Sequence, residues 1–278
     1  MTIDHFSNKK TIGKGAFGTV KIGRHKQTGN VFAIKILEKK KIIESKFLKH
    51  TIQEKQILRT INQPFILKAT YHFWDSLHLY LATEFCAGGD LHTLFNRNKN
   101  FKENHCMFYG AHIVLALEFL HSIKIIYRDL KLDNLLVNND GYLKLVDFGI
   151  SKKVENTTNS YCGTPSYIAP EMINQNDYNC SVDWWSFGVV LYKMGSGKRP
   201  FKGKSVNEIF KNIINNEIEM PESFSKTFAD LVGKPLIKPP YISSLKDDMD
   251  TSNFGNYFEY GIDRKDTCIF YDEFKDFY

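Results

Sequence analysis

The polarity pattern changes character about a third of the way along the chain. Early on, apolar residues come in short strand-like runs at 20–23, 31–37, 71–74 and 77–84, with a turn signal at Gln27-Thr28-Gly29-Asn30. One stretch breaks that rhythm: over residues 45–61, Leu48, Ile52, Leu58 and Ile61 recur at helical spacing. The composition shifts at Cys86-Ala87-Gly88-Gly89-Asp90, and beyond it helices dominate. Residues 105–122 and 183–192 are apolar on most sides and are expected to be buried helices. Between them, runs at 135–137 and 142–146 predict a hairpin turning at Asn138-Asn139-Asp140-Gly141. Residues 151–167, rich in Asn, Thr and Ser, are expected to be a mobile segment that closes at Ala169-Pro170-Glu171. The fold class implied is α+β, with no internal repeat.

Composition narrows the function classes. With 278 residues the chain has length for one or two domains and a substantial core. A net charge of +6 without a dense basic run gives no nucleic-acid surface. No stretch is long enough to span a bilayer, no signal peptide opens the chain, and Thr2 excludes N-myristoylation. Five scattered cysteines without a C-x-x-C pair predict neither a zinc site nor a disulfide framework and suit a reducing compartment. The expectation is a cytoplasmic protein, with the nucleus as a second location and no nucleic-acid or membrane partner.

Chemistry concentrates around the hairpin. Its two ends carry Asp129 and Asn134 on one side and Asp147 on the other, so the three face one small volume. Carboxylate and amide oxygens suit a hard cation that keeps some waters, as magnesium does. Upstream, Gly13-Lys14-Gly15-Ala16-Phe17-Gly18 precedes a second strand, an arrangement that lets bare backbone lie over phosphates and argues against a dinucleotide-binding βα unit. Lys35 is a lone cation in an apolar strand and needs an anion; Glu54, on the helix expected at 45–61, is the natural partner.

Tyr127-Arg128-Asp129-Leu130-Lys131-Leu132-Asp133-Asn134 with Asp147-Phe148-Gly149 resembles the catalytic loop and metal turn of protein kinases, with Tyr in the usual place of His. His50-Thr51-Ile52-Gln53-Glu54-Lys55, Ala87-Gly88-Gly89-Asp90, Cys162-Gly163-Thr164-Pro165 and Val182-Asp183-Trp184-Trp185 place the resemblance in the AGC group of Ser/Thr kinases, near the catalytic subunits of cAMP-dependent kinases. It implies a bilobal kinase fold: a β-rich N-lobe at 6–85, a mainly helical C-lobe at 86–233 and an AGC-type tail at 234–278. The implied activity is transfer of the γ-phosphate of Mg-ATP to Ser/Thr hydroxyls of protein substrates. By the same resemblance Asp129, Lys131, Lys35, Glu54 and Thr164 are catalytic, and Asn134 and Asp147 hold magnesium. The ATP site is implied to comprise Ile12, Gly13, Lys14, Gly15, Ala16, Phe17, Gly18, Val20, Ala33, Lys35, Thr83, Glu84, Cys86, Asp90, Leu136 and, from the tail, Phe254. A nucleotide-binding pseudokinase is the alternative, but the catalytic Lys and both key Asp residues are present.

The departures matter as well. Thr83 stands where the relatives carry Met, so a pocket is expected behind the adenine. Ser160 matches the activating phosphosite, with Arg128, Lys152 and His50 as phosphate receivers and an upstream kinase as partner. Asp90 and Asp133 match acidic readers of substrate arginine, whereas Lys193 replaces a third with a cation. Asn159 replaces a Trp that contacts the cAMP-binding regulatory subunit, which weighs against that partner. Residues 270–278 resemble a hydrophobic docking motif. Finally, late C-lobe helices are missing after Gly233, through a genuine reduction or a lost coding segment. Glu171 is therefore expected to be a buried carboxylate without its Arg, and the apolar faces of the 183–192 and 228–232 helices to lose cover.

Overall fold

The computed structural model describes residues 1–98, 101–215 and 218–237. Five strands, β1 (Phe6–Gly15), β2 (Gly18–His25), β3 (Val31–Glu38), β4 (Ala69–Trp74) and β5 (His78–Glu84), form one antiparallel sheet in the order β1-β2-β3-β5-β4. Alternation along each strand sorts its two faces. Phe32 and Ile34 of β3 join Phe6, Phe73, Tyr80 and Ala82 on one side. Leu37, Leu79 and Leu81, of opposite parity, join the main core on the other. That second face is the one turned toward the helical lobe, and Ala33, Lys35 and Thr83 share its parity.

The helix expected over 45–61 forms as α2 (Leu48–Thr60), and a short helix that was not expected, α1 (Lys39–Glu44), precedes it. Lys46, with φ at 58°, separates them, because a left-handed residue cannot continue a right-handed helix. Leu58 and Ile61 are buried as expected, together with Ile57.

The second lobe contains β6 (Gly89–Asp90), α3 (Leu91–Asn98), α4 (Glu103–Ser122), β7 (Ile125–Ile126), β8 (Leu135–Val137), β9 (Leu143–Leu145), β10 (Lys152–Lys153), α5 (Pro170–Ile173), α6 (Ser181–Ser196), α7 (Val206–Asn215) and α8 (Lys226–Ile237). Helix α6 is its axis, with Val189, Val190, Leu191 and Met194 fully buried. The β8–β9 hairpin forms as expected, turning through Gly141 at φ 84°. Helix α4 departs from expectation: Met107, Phe108 and Leu115 leave one of its sides exposed.

Three further expectations are corrected. Helix α8 does not stop at the boundary drawn after Gly233 but runs to Ile237. It packs along α6, burying Phe228 and Val232, while the Phe224 ring lies 4.8 Å from that of Phe228. The 183–192 and 228–232 faces therefore cover each other. Glu171 is half-buried, not buried, and Ser181 Oγ donates to its Oε1 at 3.4 Å, so no stranded carboxylate results.

Candidate active site

The hairpin ends meet as expected, and the contacts are close. Asp129 Oδ2 receives Lys131 Nζ at 2.7 Å and Asn134 Nδ2 at 3.0 Å, and Thr164 Oγ1 donates to Asp129 Oδ1 at 2.6 Å. Lys131 Nζ also donates to Thr164 Oγ1 at 2.9 Å, closing a ring of three residues expected from sequence, with Asn134 attached to it through Asp129. The short 3₁₀ turn at Leu132–Asn134 sets the offset between Asp129 and Asn134, whose Nδ2 also donates to the Asp129 carbonyl at 2.9 Å. The opposite hairpin end presents Asp147 to solvent with φ at 59°, while Phe148 behind it is fully buried.

Lys35 Nζ contacts both Glu54 oxygens, at 2.6 and 2.8 Å, tying β3 to α2. Burial would depress the Lys35 pKa; the Glu54 and Asp147 carboxylates outweigh it and hold the pKa above the usual lysine value. Asp147 thus acts electrostatically on the same ammonium that Glu54 grips.

The glycine-rich turn joins β1 and β2. A Cβ at Gly18 would lie 1.8 Å from the Ile36 carbonyl, so packing alone requires that glycine. At Gly15 a Cβ would meet nothing within 4 Å, and at Gly13 nothing nearer than 3.7 Å. Packing within the chain does not demand these two bare positions. Lys14, Gly15, Ala16 and Ile12 are exposed, but Phe17 turns away and stacks on Phe47 at 4.6 Å. Val20, Ala33 and Leu136 are half-buried along the cleft, and Cys86 is buried at its rear. Burial and the neighbouring Glu84 push the Cys86 thiol up to about 12, so it is a packed group and not a nucleophile. Thr83 is buried with Oγ1 3.3 Å from the Ala33 carbonyl, and Glu84 pairs with Lys144 at 2.8 Å. Asp90 spends both oxygens on Thr93, at 2.7 and 2.8 Å, starting α3. Phe254 and the aromatic motif at 270–278 lie outside the described residues.

Asp183 was quoted only as part of a motif, yet it anchors the loop. Fully buried, it accepts Tyr127 N at 2.8 Å, Arg128 N at 2.7 Å and His121 Nε2 at 2.8 Å. A lone carboxylate at the start of a helix buried on most sides was the available signal, since such a group must find donors. Tyr127, in the usual place of His, is fully buried and donates its hydroxyl to the Val146 carbonyl. The catalytic loop is thereby tied to the residue preceding Asp147.

The polar stretch expected to be mobile is fastened at several points. Lys152 and Lys153 of β10 pair with β7, and Thr158 bridges to Tyr178. Arg128 Nη1 donates to Ser160 Oγ at 2.6 Å and to Tyr178 OH at 3.1 Å. Lys152 Nζ reaches Thr158 Oγ1 at 2.7 Å, two residues from Ser160. His50 stacks on Phe47, and its Nδ1 is buried without a hydrogen-bond partner.

Asp147 and Asn134 supply one carboxylate and one amide oxygen. Among the described residues no group of three or more His, Cys, Asp or Glu is arranged to hold a metal by itself. Such a sparse donor set suits a cation that arrives with its own phosphate ligands and waters.

The protein kinase domain family matches residues 6–241. A cAMP-dependent protein kinase, catalytic subunit-like, of Caenorhabditis elegans is 40% identical over 226 residues, covering 81% of this chain and 57% of the relative. The cAMP-dependent protein kinase type 3 of Saccharomyces cerevisiae is 39% identical over 233 residues, covering 84% of this chain and 58% of the relative. The RAC-beta serine/threonine-protein kinase of Rattus norvegicus is 40% identical over 243 residues, covering 86% of this chain and 50% of the relative. The chain therefore spans between about half and three fifths of the length of these relatives.

Proposed function

Starting from the fact that this chain belongs to the protein kinase domain family, in its AGC group, we propose that it is a Ser/Thr protein kinase that uses Mg-ATP. The observation that carries the reading is the Asp129–Lys131–Thr164 ring with Asn134 bonded to Asp129, together with the Lys35–Glu54 pair. In the order of events this implies, Lys35, held by Glu54, grips the α/β-phosphates beneath the bare glycine backbone. Asp147 and Asn134 would hold magnesium, which supplies charge neutralisation at the phosphates when bound. Asp129 accepts the proton of the incoming hydroxyl, and Lys131 balances charge on the phosphoryl group in transit. Thr164, which now occupies Asp129 Oδ1, must yield that oxygen to the substrate or share it. The alternative, a nucleotide-binding pseudokinase, is disfavoured by the presence of Lys35, Asp129 and Asp147.

Substrates on this reading are proteins with a basic residue before the acceptor, read by Asp133 and, if Thr93 releases it, Asp90. An upstream kinase would act on Ser160, whose hydroxyl already sits on Arg128. A cAMP-binding regulatory subunit is disfavoured by Asn159. The unpaired thiols Cys86, Cys106, Cys162 and Cys180 suit a cytoplasmic location. The test is Asp129→Asn, which keeps shape but removes the proton acceptor. It is expected to lower kcat by roughly 10²-fold or more with ATP affinity nearly unchanged. Near-normal turnover would sink the assignment.

A further inference from the structure

Lys193 is the cation the proposed catalysis does not use. It lies on α6, was read from sequence as a cation in place of an acidic reader of substrate arginine, and is 6% exposed. Among the described residues it forms no ion pair; its ammonium has the Tyr167 hydroxyl at 3.4 Å and the Phe95 ring at 5.5 Å. A buried ammonium without an anion is costly, so whatever holds the charge there must compensate elsewhere. The nearest carboxylate able to act on it, Asp133, is already committed to His92 at 2.8 Å. A second cation stands alongside: Arg199 is exposed and donates Nη1 to Ser166 Oγ at 3.2 Å.

The two cations are fixed relative to the acceptor site by one short turn. Thr164 touches Asp129, and the 3₁₀ helix Pro165–Tyr167 follows at once, carrying the contacts to Arg199 and Lys193. At about 2 Å of rise per residue, that turn separates them from Asp129 by roughly the reach of one to three extended substrate residues. We propose that Lys193 and Arg199 form an anion-selecting subsite beside the acceptor position, taking a carboxylate or phosphorylated side chain of the substrate within three residues of its Ser/Thr. The proposal rests on the protein-substrate reading of the site above. Burial first, and Arg199 second, depress the Lys193 pKa, with Asp133 opposing. An arriving anion would reverse that balance and repay the buried charge, whereas an arginine at the same place would add a third cation.

The experiment measures binding without turnover. The full chain is titrated, by fluorescence anisotropy, with peptides whose acceptor is replaced by Ala. Each carries Glu, phosphoserine, Ala or Arg at one position within three of that site. At one position, Glu or phosphoserine is expected to bind roughly tenfold tighter than Arg. Selection of phosphoserine alone would identify a pre-phosphorylated substrate; selection of both, an acidic one. Lys193→Met, close in volume, should erase the preference, and Arg199→Ala, at an exposed site, should weaken it even if the first variant folds poorly. Equal affinities at every position, no measurable binding of any peptide, or a preference unchanged in both variants overturns the proposal. A parallel set of the same peptides that keeps the acceptor Ser is assayed for phosphorylation, so that a loss of catalysis and a loss of anion selection are distinguishable.

Discussion

Thr83 is a small residue at a position where size decides access. Its hydroxyl is turned toward backbone carbonyls at 3.3 Å, and its side chain fills less space than a Met would. Bulky adenine-site inhibitors are therefore expected to bind, and Thr83→Met should weaken them roughly tenfold or more by overfilling, while the KM for ATP stays within about twofold. Unchanged inhibition would show that neighbours already close the space. His50 offers a second measurable residue. Burial, and then the Arg128 charge, hold its pKa below the ordinary imidazole value of about 6.5. Folding thus disfavours its proton: stability is full above that ordinary value and declines as pH falls beneath it, where the unfolded chain takes up a proton that the folded one refuses. A phosphate on Ser160 would offset the Arg128 charge and lessen the effect, while the larger contribution, burial, would remain. An imidazole titration followed by NMR should show a depressed midpoint that rises on phosphorylation of Ser160; a midpoint that does not move would uncouple the two.

At the scale of elements, the α6–α8 contact decides whether the helical lobe holds. Phe228 is 2% exposed and lies against Gly195, where an added Cβ would come within 2.8 Å of its ring. Phe228→Ala is expected to cost about 3–5 kcal/mol, read as a lowered midpoint in thermal or denaturant unfolding. A change under about 1 kcal/mol would mean α8 contributes little cover. This contact was illegible in the sequence, because a comparison with longer chains shows what is absent but not how the remaining faces close on each other. The short helix α1 was hidden as well: six residues opening on three lysines carry too little apolar periodicity to announce a helix. Strands β1 to β5, the hairpin and the Lys35–Glu54 pair were legible, since period-2 alternation, turn residues and a lone buried cation each have few solutions. The roles of Asp183 and Tyr178 were not, because both act through hydrogen bonds to backbone or side chains distant in sequence.

For the whole molecule, two tethers join what the chain separates. Lys35–Glu54 fixes helix α2 to the sheet, and Asp183 fixes the catalytic loop to the axis of the helical lobe. Between them runs an unexpected third link, in which Phe17 of the glycine-rich turn rests on Phe47, and Phe47 on His50 at 4.4 Å. The glycine-rich turn is thus clipped to the lobe's flank by an aromatic contact. Its consequence concerns timing. On the proposed function, spent nucleotide would leave as that turn lifts, and lifting it would part the two rings. An aromatic pair contributes about 0.5–1.5 kcal/mol beyond area burial, which corresponds to roughly two- to tenfold in an escape rate. Phe47→Ala is accordingly expected to speed ADP departure in stopped-flow displacement by that factor, with phosphoryl transfer in a single turnover scarcely changed. If departure keeps its wild-type rate, the clip does not set the clock. If it quickens, a pair of rings sets the pace of the cycle, and because Phe47 stacks on His50, which feels the Arg128 charge beside Ser160, a phosphate placed on Ser160 would be felt there as dwell time.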